Sequence, residues 1–233
     1  MEKYKYQIKA VTADAVVFSI VNKELNCILI RRGIEPFKGK LALPGGFLKR
    51  NESAESAFKR ELEEESGQSF KNLNSWREFK SYSSPKRDPR NNDNYQIISI
   101  AFLGVTNKNK LDVKAGSDAE EVMMIPIDKI SKKEIAFDHF EIINDAKAYL
   151  SEKIEKENIA LDFLDSEFTL TELRNVYEQI WNTKLHASNF ERKVTSINNF
   201  ITKTSNTKLT GNNRPGTLYK KGTEKNILIL RNN

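Results

Sequence analysis

Gly46-Phe47-Leu48-Lys49-Arg50-Asn51-Glu52, followed after seven residues by Arg60-Glu61-Leu62-Glu63-Glu64-Glu65-Ser66-Gly67, encloses a segment with an unusual helical wheel. Residues 53–66 read as a helix. At about 100° per residue, Ala54, Ala57, Phe58 and Leu62 define the face turned toward the protein body. Glu61 and Glu65 fall in the middle of that arc and Glu64 on its flank, whereas Glu63 lies opposite, where a surface helix would keep all its acids. Carboxylates on an inward face cost free energy unless something positive compensates them. Acids converging at i, i+3 and i+4 suit a hard divalent ion such as Mg²⁺ or Mn²⁺.

Outward from this helix, residues 8–20 and 25–32 read as strands separated by the polar turn Asn22-Lys23-Glu24. Leu41-Ala42-Leu43 runs into Pro44-Gly45-Gly46, which reads as a turn where the backbone approaches something closely. Further strands are expected over 95–105 and 122–127, a polar loop over 81–94 with Lys86, Arg87, Asp88 and Arg90, and an amphipathic helix over 139–156. The mixture predicts an α+β domain.

Near residue 165 the pattern changes. Thr169 and Glu172 form a capping box ahead of an apolar stripe at helical spacing, Leu170, Leu173, Val176, Tyr177, Ile180 and Trp181. After the short turn Asn182-Thr183-Lys184, a second capping box is expected from Ser188 to Glu191. The helix it opens, 189–200, should bury Phe190, Val194 and Ile197 and present Asn189, Arg192, Lys193 and Ser196. A polar hairpin turning over Gly211–Gly216 follows, between 207–210 and 217–221. Helix, turn, helix and basic hairpin form the plan of a winged helix-turn-helix. The expected domains are therefore 1–157 and 158–233.

Composition agrees with two ordered domains: 233 residues, 38% hydrophobic and 9% aromatic, enough for ordinary cores. No apolar run approaches the roughly 18 residues of a membrane span, and the start lacks a secretory pattern, so the expected address is the cytoplasm, with no membrane partner. Cys27, the single cysteine, lies in an apolar strand and reads as structural. The net charge of +6 is segregated: residues 166–233 carry 11 Lys+Arg against 5 Asp+Glu, and the rest is neutral. A basic third beside a neutral body suggests either a polyanion partner or a soluble basic surface.

The acidic segment resembles the box of the Nudix hydrolases: a glycine, five residues, a glutamate, seven residues, then arginine-glutamate-aliphatic-any-glutamate-glutamate-any-glycine-aliphatic. Gly46, Glu52, Arg60, Glu61, Leu62, Glu64, Glu65 and Gly67 match in register, and Gln68 departs at the closing aliphatic position. The resemblance implies that Glu61, Glu64 and Glu65, with Gly46, hold the metal and carry catalysis, and that Glu52 and Arg60 brace loop against helix. A box glutamate or an acid on a separate loop (Asp118, Glu120 or Glu121) would be the base. His139 and His186 read as structural.

Residues 10–32, Pro36–Lys40, Arg87-Asp88-Pro89-Arg90 and Ala136-Phe137-Asp138-His139 look like ADP-ribose pyrophosphatases, which puts Arg32, Asp88 and Arg90 on the substrate. Phe168–Tyr219 is similar to the C-terminal domain of Nudix-related transcriptional regulators of NAD metabolism. That implies a homodimer binding double-stranded DNA through Asn189, Arg192, Lys193, Ser196, Lys208 and Arg214. Two readings follow: a Mg²⁺-dependent hydrolase converting ADP-ribose to AMP and ribose 5-phosphate, and a repressor whose signal is ADP-ribose.

Overall fold

The computed structural model describes residues 8–92, 95–113, 119–209, 215–229 and 231. Its axis is a long strand, β1 (Ile8–Val21), that pairs in parallel with β6 (Tyr95–Val105) and antiparallel with β2 (Glu24–Arg32). Along the sheet the order is β3-β2-β1-β6-β5, with β3 at Leu41–Ala42 and β5 at Ser75–Tyr82. β7 (Ala119–Pro126) joins β2, and β4 (Gly45–Phe47) joins the first half of β1.

Because side chains alternate across a strand, β1 supplies two cores at once. Ala13, Ala15 and Val17 face α1 (Ala54–Ser66) with Phe58, Leu62 and Phe102. Val16 and Phe18 face α2 (His139–Lys156) with Cys27, Leu29, Ile142, Ala146 and Leu150. The sheet is thus covered on both faces, as an α+β fold with separated helices requires. The Cys27 thiol is buried, and burial pushes its pKa up, which keeps it protonated. Among the described residues, no helix is long and apolar enough to cross a membrane.

The C-terminal part comprises α3 (Leu170–Trp181), α4 (Ala187–Ser196) and a two-stranded ribbon of β8 (Ile201–Leu209) and β9 (Pro215–Lys221). The capping box of α3 forms as expected: the Glu172 amide donates to the Thr169 hydroxyl, and the Thr169 amide to the Glu172 carboxylate. Asn182, in left-handed conformation, stops α3. The core is continuous across both halves. Trp181 Nε1 donates to the Ser151 carbonyl and the Tyr177 hydroxyl to that of Ile154, both on α2. The tail returns to the same place, with the Ile227 and Ile229 amides donating to the carbonyls of Lys156 and Glu155.

Two expectations are corrected, and one strand was not expected. Pro44-Gly45-Gly46 does not simply turn: Gly45 and Gly46 pair with Asp14 and Ala13 on β1. The helix expected over 189–200 spans Ala187–Ser196 instead, and no capping box opens it; Ser188 lies inside the first turn with its hydroxyl 3.1 Å from His186 Nδ1. Strand β5 lies in a stretch whose polar residues hid it, since an edge strand leaves one side to solvent. The turn expected over Gly211–Gly216 lies, up to residue 214, outside the described residues.

Candidate functional site

Pairing with β1 lays the Gly45-Gly46 backbone directly against α1. The Gly45 amide donates to Glu65 at 2.9 Å, and a Cβ at Gly46 would collide with the Glu61 carboxylate. At Gly45 a Cβ would meet the Ala13 carbonyl at 2.6 Å, a backbone clash that only glycine avoids. Arg60 then ties the loop to the helix. Its Nε and Nη2 donate to the two Glu52 oxygens at 2.7 and 2.8 Å, and Nη2 also reaches the Phe47 carbonyl at 3.1 Å. Glu52 itself accepts from the Lys49 amide, and the guanidinium holds its carboxyl down at about 2.

Arg60 Nη1 lies 2.5 Å from Glu61 and 3.0 Å from Glu64. Burial pushes the Glu61 carboxyl above the usual range, against the pull of Arg60. Glu61 and Glu65 are half-buried and Glu64 is exposed, matching the wheel. Glu63 faces away and accepts from the Phe70 amide and the Ser69 hydroxyl. Gln68 is fully buried, and its amide is satisfied by the carbonyls of Ser69 and Lys110 and the amide of Asp112, so hydrogen bonds replace aliphatic packing.

Among the described residues, no three acid, histidine or cysteine groups converge on one point as a finished metal cage. The donors nevertheless fit a hard divalent ion. They are all oxygens, a cation already sits between two of them, and Glu61 is desolvated in a way a positive charge would relieve.

A second group of residues lies on the loop before β6. Asp88, buried, takes Arg90 Nε and Nη2 at 2.9 and 2.7 Å and the Arg90 amide at 2.9 Å. Burial opposes ionisation of Asp88, but these bonds outweigh it and hold its pKa below the ordinary value. The fixed guanidinium of Arg90 lies 5.2 Å from the centre of the Phe47 ring and 5.4 Å from that of Phe137. Arg32, whose Nε donates to the Pro36 carbonyl, packs on the same Phe137 ring at 4.9 Å. Burial and the charge of Arg90 lower the Arg32 pKa, and Glu65 raises it. The structure therefore brings Arg32, Asp88 and Arg90 together around Phe137, a residue that sequence reading left without a role.

Beneath them, Arg87 points inward. It takes both oxygens of Asp138 at 2.9 and 2.8 Å and lies 3.6 Å from Asp14. Asp14 also accepts from Ser99, and its burial raises its pKa. His139 accepts the Leu43 amide on Nδ1 at 2.9 Å; burial lowers its pKa to about 3, so it is a neutral structural group. Of the proposed bases, Glu121 pairs with Arg31 at 3.2 Å. Asp118 and the side chain of Glu120 lie outside the described residues.

On α4, Phe190 and Val194 are buried, Ile197 follows half-buried, and Asn189, Arg192 and Ser196 are exposed, with Lys193 half-exposed. Lys208 is engaged with Glu172 at 2.8 Å. Arg214 lies outside the described residues.

Residues 11–146 match the family model described as the NUDIX domain, more than half of the chain. The chain belongs to the Nudix family. After its Nudix domain, residues 160–220 match the NrtR DNA-binding winged helix domain. Two relatives divide the resemblance. The ADPR responsive transcriptional repressor NtrR of Acinetobacter baylyi is 28% identical over 221 residues, 94% of this chain and 84% of that one. The ADP-ribose pyrophosphatase of Methanocaldococcus jannaschii is 39% identical over 148 residues, 62% of this chain and 78% of that one. In fold, the Nudix and winged helix domains together resemble Shewanella oneidensis NrtR complexed with a 27mer DNA, at TM-score 0.75 and 24% identity, over 93% of this chain and 99% of that one.

Proposed function

We propose that this chain is an ADP-ribose-responsive transcriptional repressor: the Nudix domain binds ADP-ribose, and the winged helix binds double-stranded DNA as part of a homodimer. The observation that carries this reading is the pair of guanidiniums, Arg32 and Arg90, packed on one aromatic ring at the edge of the acidic loop, in a chain that also has a basic winged helix. Planar guanidiniums suit phosphate oxygens, and Phe47, 39% exposed, offers a flat apolar face beside them. Both full-length resemblance to an ADPR responsive repressor and the Nudix match support the reading. On DNA, α4 would occupy the major groove with Asn189, Arg192, Lys193 and Ser196, and the ribbon with Lys208 and Arg214 would meet the backbone. Titration calorimetry with ADP-ribose and a gel shift on the chain's own upstream DNA at two salt concentrations test it. Absence of ADP-ribose binding, or DNA binding that ignores salt, would overturn it.

A second reading is favoured by the complete acid set: hydrolysis of ADP-ribose to AMP and ribose 5-phosphate. Glu61, Glu64, Glu65 and the Gly46 carbonyl would hold Mg²⁺ or Mn²⁺, which when bound neutralises diphosphate charge and activates water. Arg32 and Arg90 would orient the diphosphate, and the Glu52–Arg60 pair would keep the loop seated on α1. The expected outcome is turnover with Mg²⁺ that falls by orders of magnitude in Glu64→Gln, read by separating the products. Full activity in that variant would remove Glu64 from the site.

A further inference from the structure

One helix touches both halves of the molecule, and its two ends touch different things. The N-terminal end of α2 is built into the ligand side. Asp138 precedes its first residue and takes Arg87 in a two-point ion pair, on the same loop as Asp88 and Arg90. Phe137 precedes that and carries the guanidiniums of Arg32 and Arg90. His139, the first helical residue, receives the Leu43 amide from the strand that leads into Pro44-Gly45-Gly46. Both guanidiniums proposed to contact ADP-ribose therefore bear on Phe137, and Arg87 and Leu43 fix the two residues that follow it.

The C-terminal end is built into the winged helix. Ser151 and Ile154 accept from Trp181 and Tyr177 of α3. Glu155 and Lys156 accept from Ile229 and Ile227 of the tail, and Arg231 of that tail donates to the Trp181 carbonyl. Between the two ends, Ile142, Ala146, Leu150 and Ile154 are fully buried. A packed helix of 18 residues spans about 27 Å at 1.5 Å per residue and moves as a rod rather than bending.

Phe137 also has φ of 53°, the left-handed region that a bulky side chain rarely adopts. Its backbone is held there by its neighbours, with the Ala136 amide on the Leu41 carbonyl, and its ring by the cations packed against it. A ligand whose phosphates draw Arg32 and Arg90 changes what holds the ring. The strained joint just ahead of α2 is where that change can be taken up.

We propose that α2 carries ligand occupancy to the winged helix, with Phe137 and Asp138 as its input and Tyr177 and Trp181 as its output. The proposal rests on the reading of the Nudix domain as an ADP-ribose sensor. On this proposal the ligand and the DNA favour different seatings of α2, so the coupling is reciprocal: DNA changes ADP-ribose affinity by the factor by which ADP-ribose changes DNA affinity.

The test uses the full chain and a duplex selected by it from a random pool. ADP-ribose affinity is measured by calorimetry with and without the duplex, and DNA affinity by anisotropy with and without ADP-ribose. In the wild type each ligand should change the other's affinity by about fivefold or more. The double variant Tyr177→Phe, Trp181→Phe removes both bonds to α2 while keeping aromatic rings. Each ligand should then bind alone within about twofold of wild type while the coupling factor falls toward one. Tyr177→Phe alone, the milder change, should lower the factor partway. Wild-type coupling retained in a folded variant would overturn the proposal, as would binding of both ligands without coupling in the wild type. No binding of ADP-ribose at all would instead sink the sensor reading, and this inference with it.

Discussion

Gly46 has room for no side chain, because the Glu61 carboxylate occupies the place a methyl group would take. Gly46→Ala should therefore displace the Glu61 carboxylate from the loop and lower any ADP-ribose turnover at least tenfold, read by product formation, with the unfolding midpoint changing by only a few degrees. His139 gives a pH test. The unfolded chain takes up a proton near the ordinary 6.5 but the folded one only near 3, so acid favours unfolding between those values. Stability should fall as pH drops from 7 to 4, by on the order of a few kcal/mol from this imidazole alone. His139→Asn, which keeps an acceptor for the Leu43 amide, should flatten the curve. Asp14 pulls the other way, since burial raises its carboxyl, and with its Oδ2 3.9 Å from His139 Nε2 the difference between the two proteins reads the imidazole together with that contact. The box acids were legible because the family's pattern fixes them at set offsets along one helix. Phe137 was not, because an apolar residue in a loop reads as core and nothing in its identity announces a left-handed backbone.

Among elements, helices were read more closely than strands. α2 has the predicted limits and α1 starts on its Ser53 cap, because long apolar stripes and capping side chains are local signals. β5 was missed: its pairing with β6 is a property of the sheet, and its polar alternation resembles a loop. In α4 the sequence offered Ser188 as a cap and a start at 189, but the structure begins the helix at Ala187, two residues earlier. The outward set survives that shift, as Phe190 and Val194 still define the buried side. Lys193→Ala should weaken DNA binding and reduce the slope of log affinity against log salt by about one. Lys208 is already neutralised by Glu172, so Lys208→Ala should cost less than Lys193→Ala in the same anisotropy titration.

For the whole molecule, the expected division at 157/158 meets a core that runs without a break from Val16 through Leu150 to Trp181. A chain of residues 1–165 would expose the side of α2 that Trp181, Tyr177 and the tail now cover. It should still unfold cooperatively, but at a lower midpoint than the full chain, and a midpoint equal to the full chain's would show that the shared core adds nothing. The central pairing has a kinetic counterpart. Every registered pair between β1 and β6, from Ile8 with Tyr95 to Phe18 with Val105, joins residues 87 positions apart, so closing it is a high-contact-order step that loop entropy makes slow. The ribbon and short helices of the C-terminal part close over shorter separations. The chain's two tryptophans stand on opposite sides of this divide, Trp76 on β5 and Trp181 on α3. In stopped-flow refolding, Trp181 watched in Trp76→Phe should reach its native fluorescence before Trp76 watched in Trp181→Phe, making the Nudix half the last to mature.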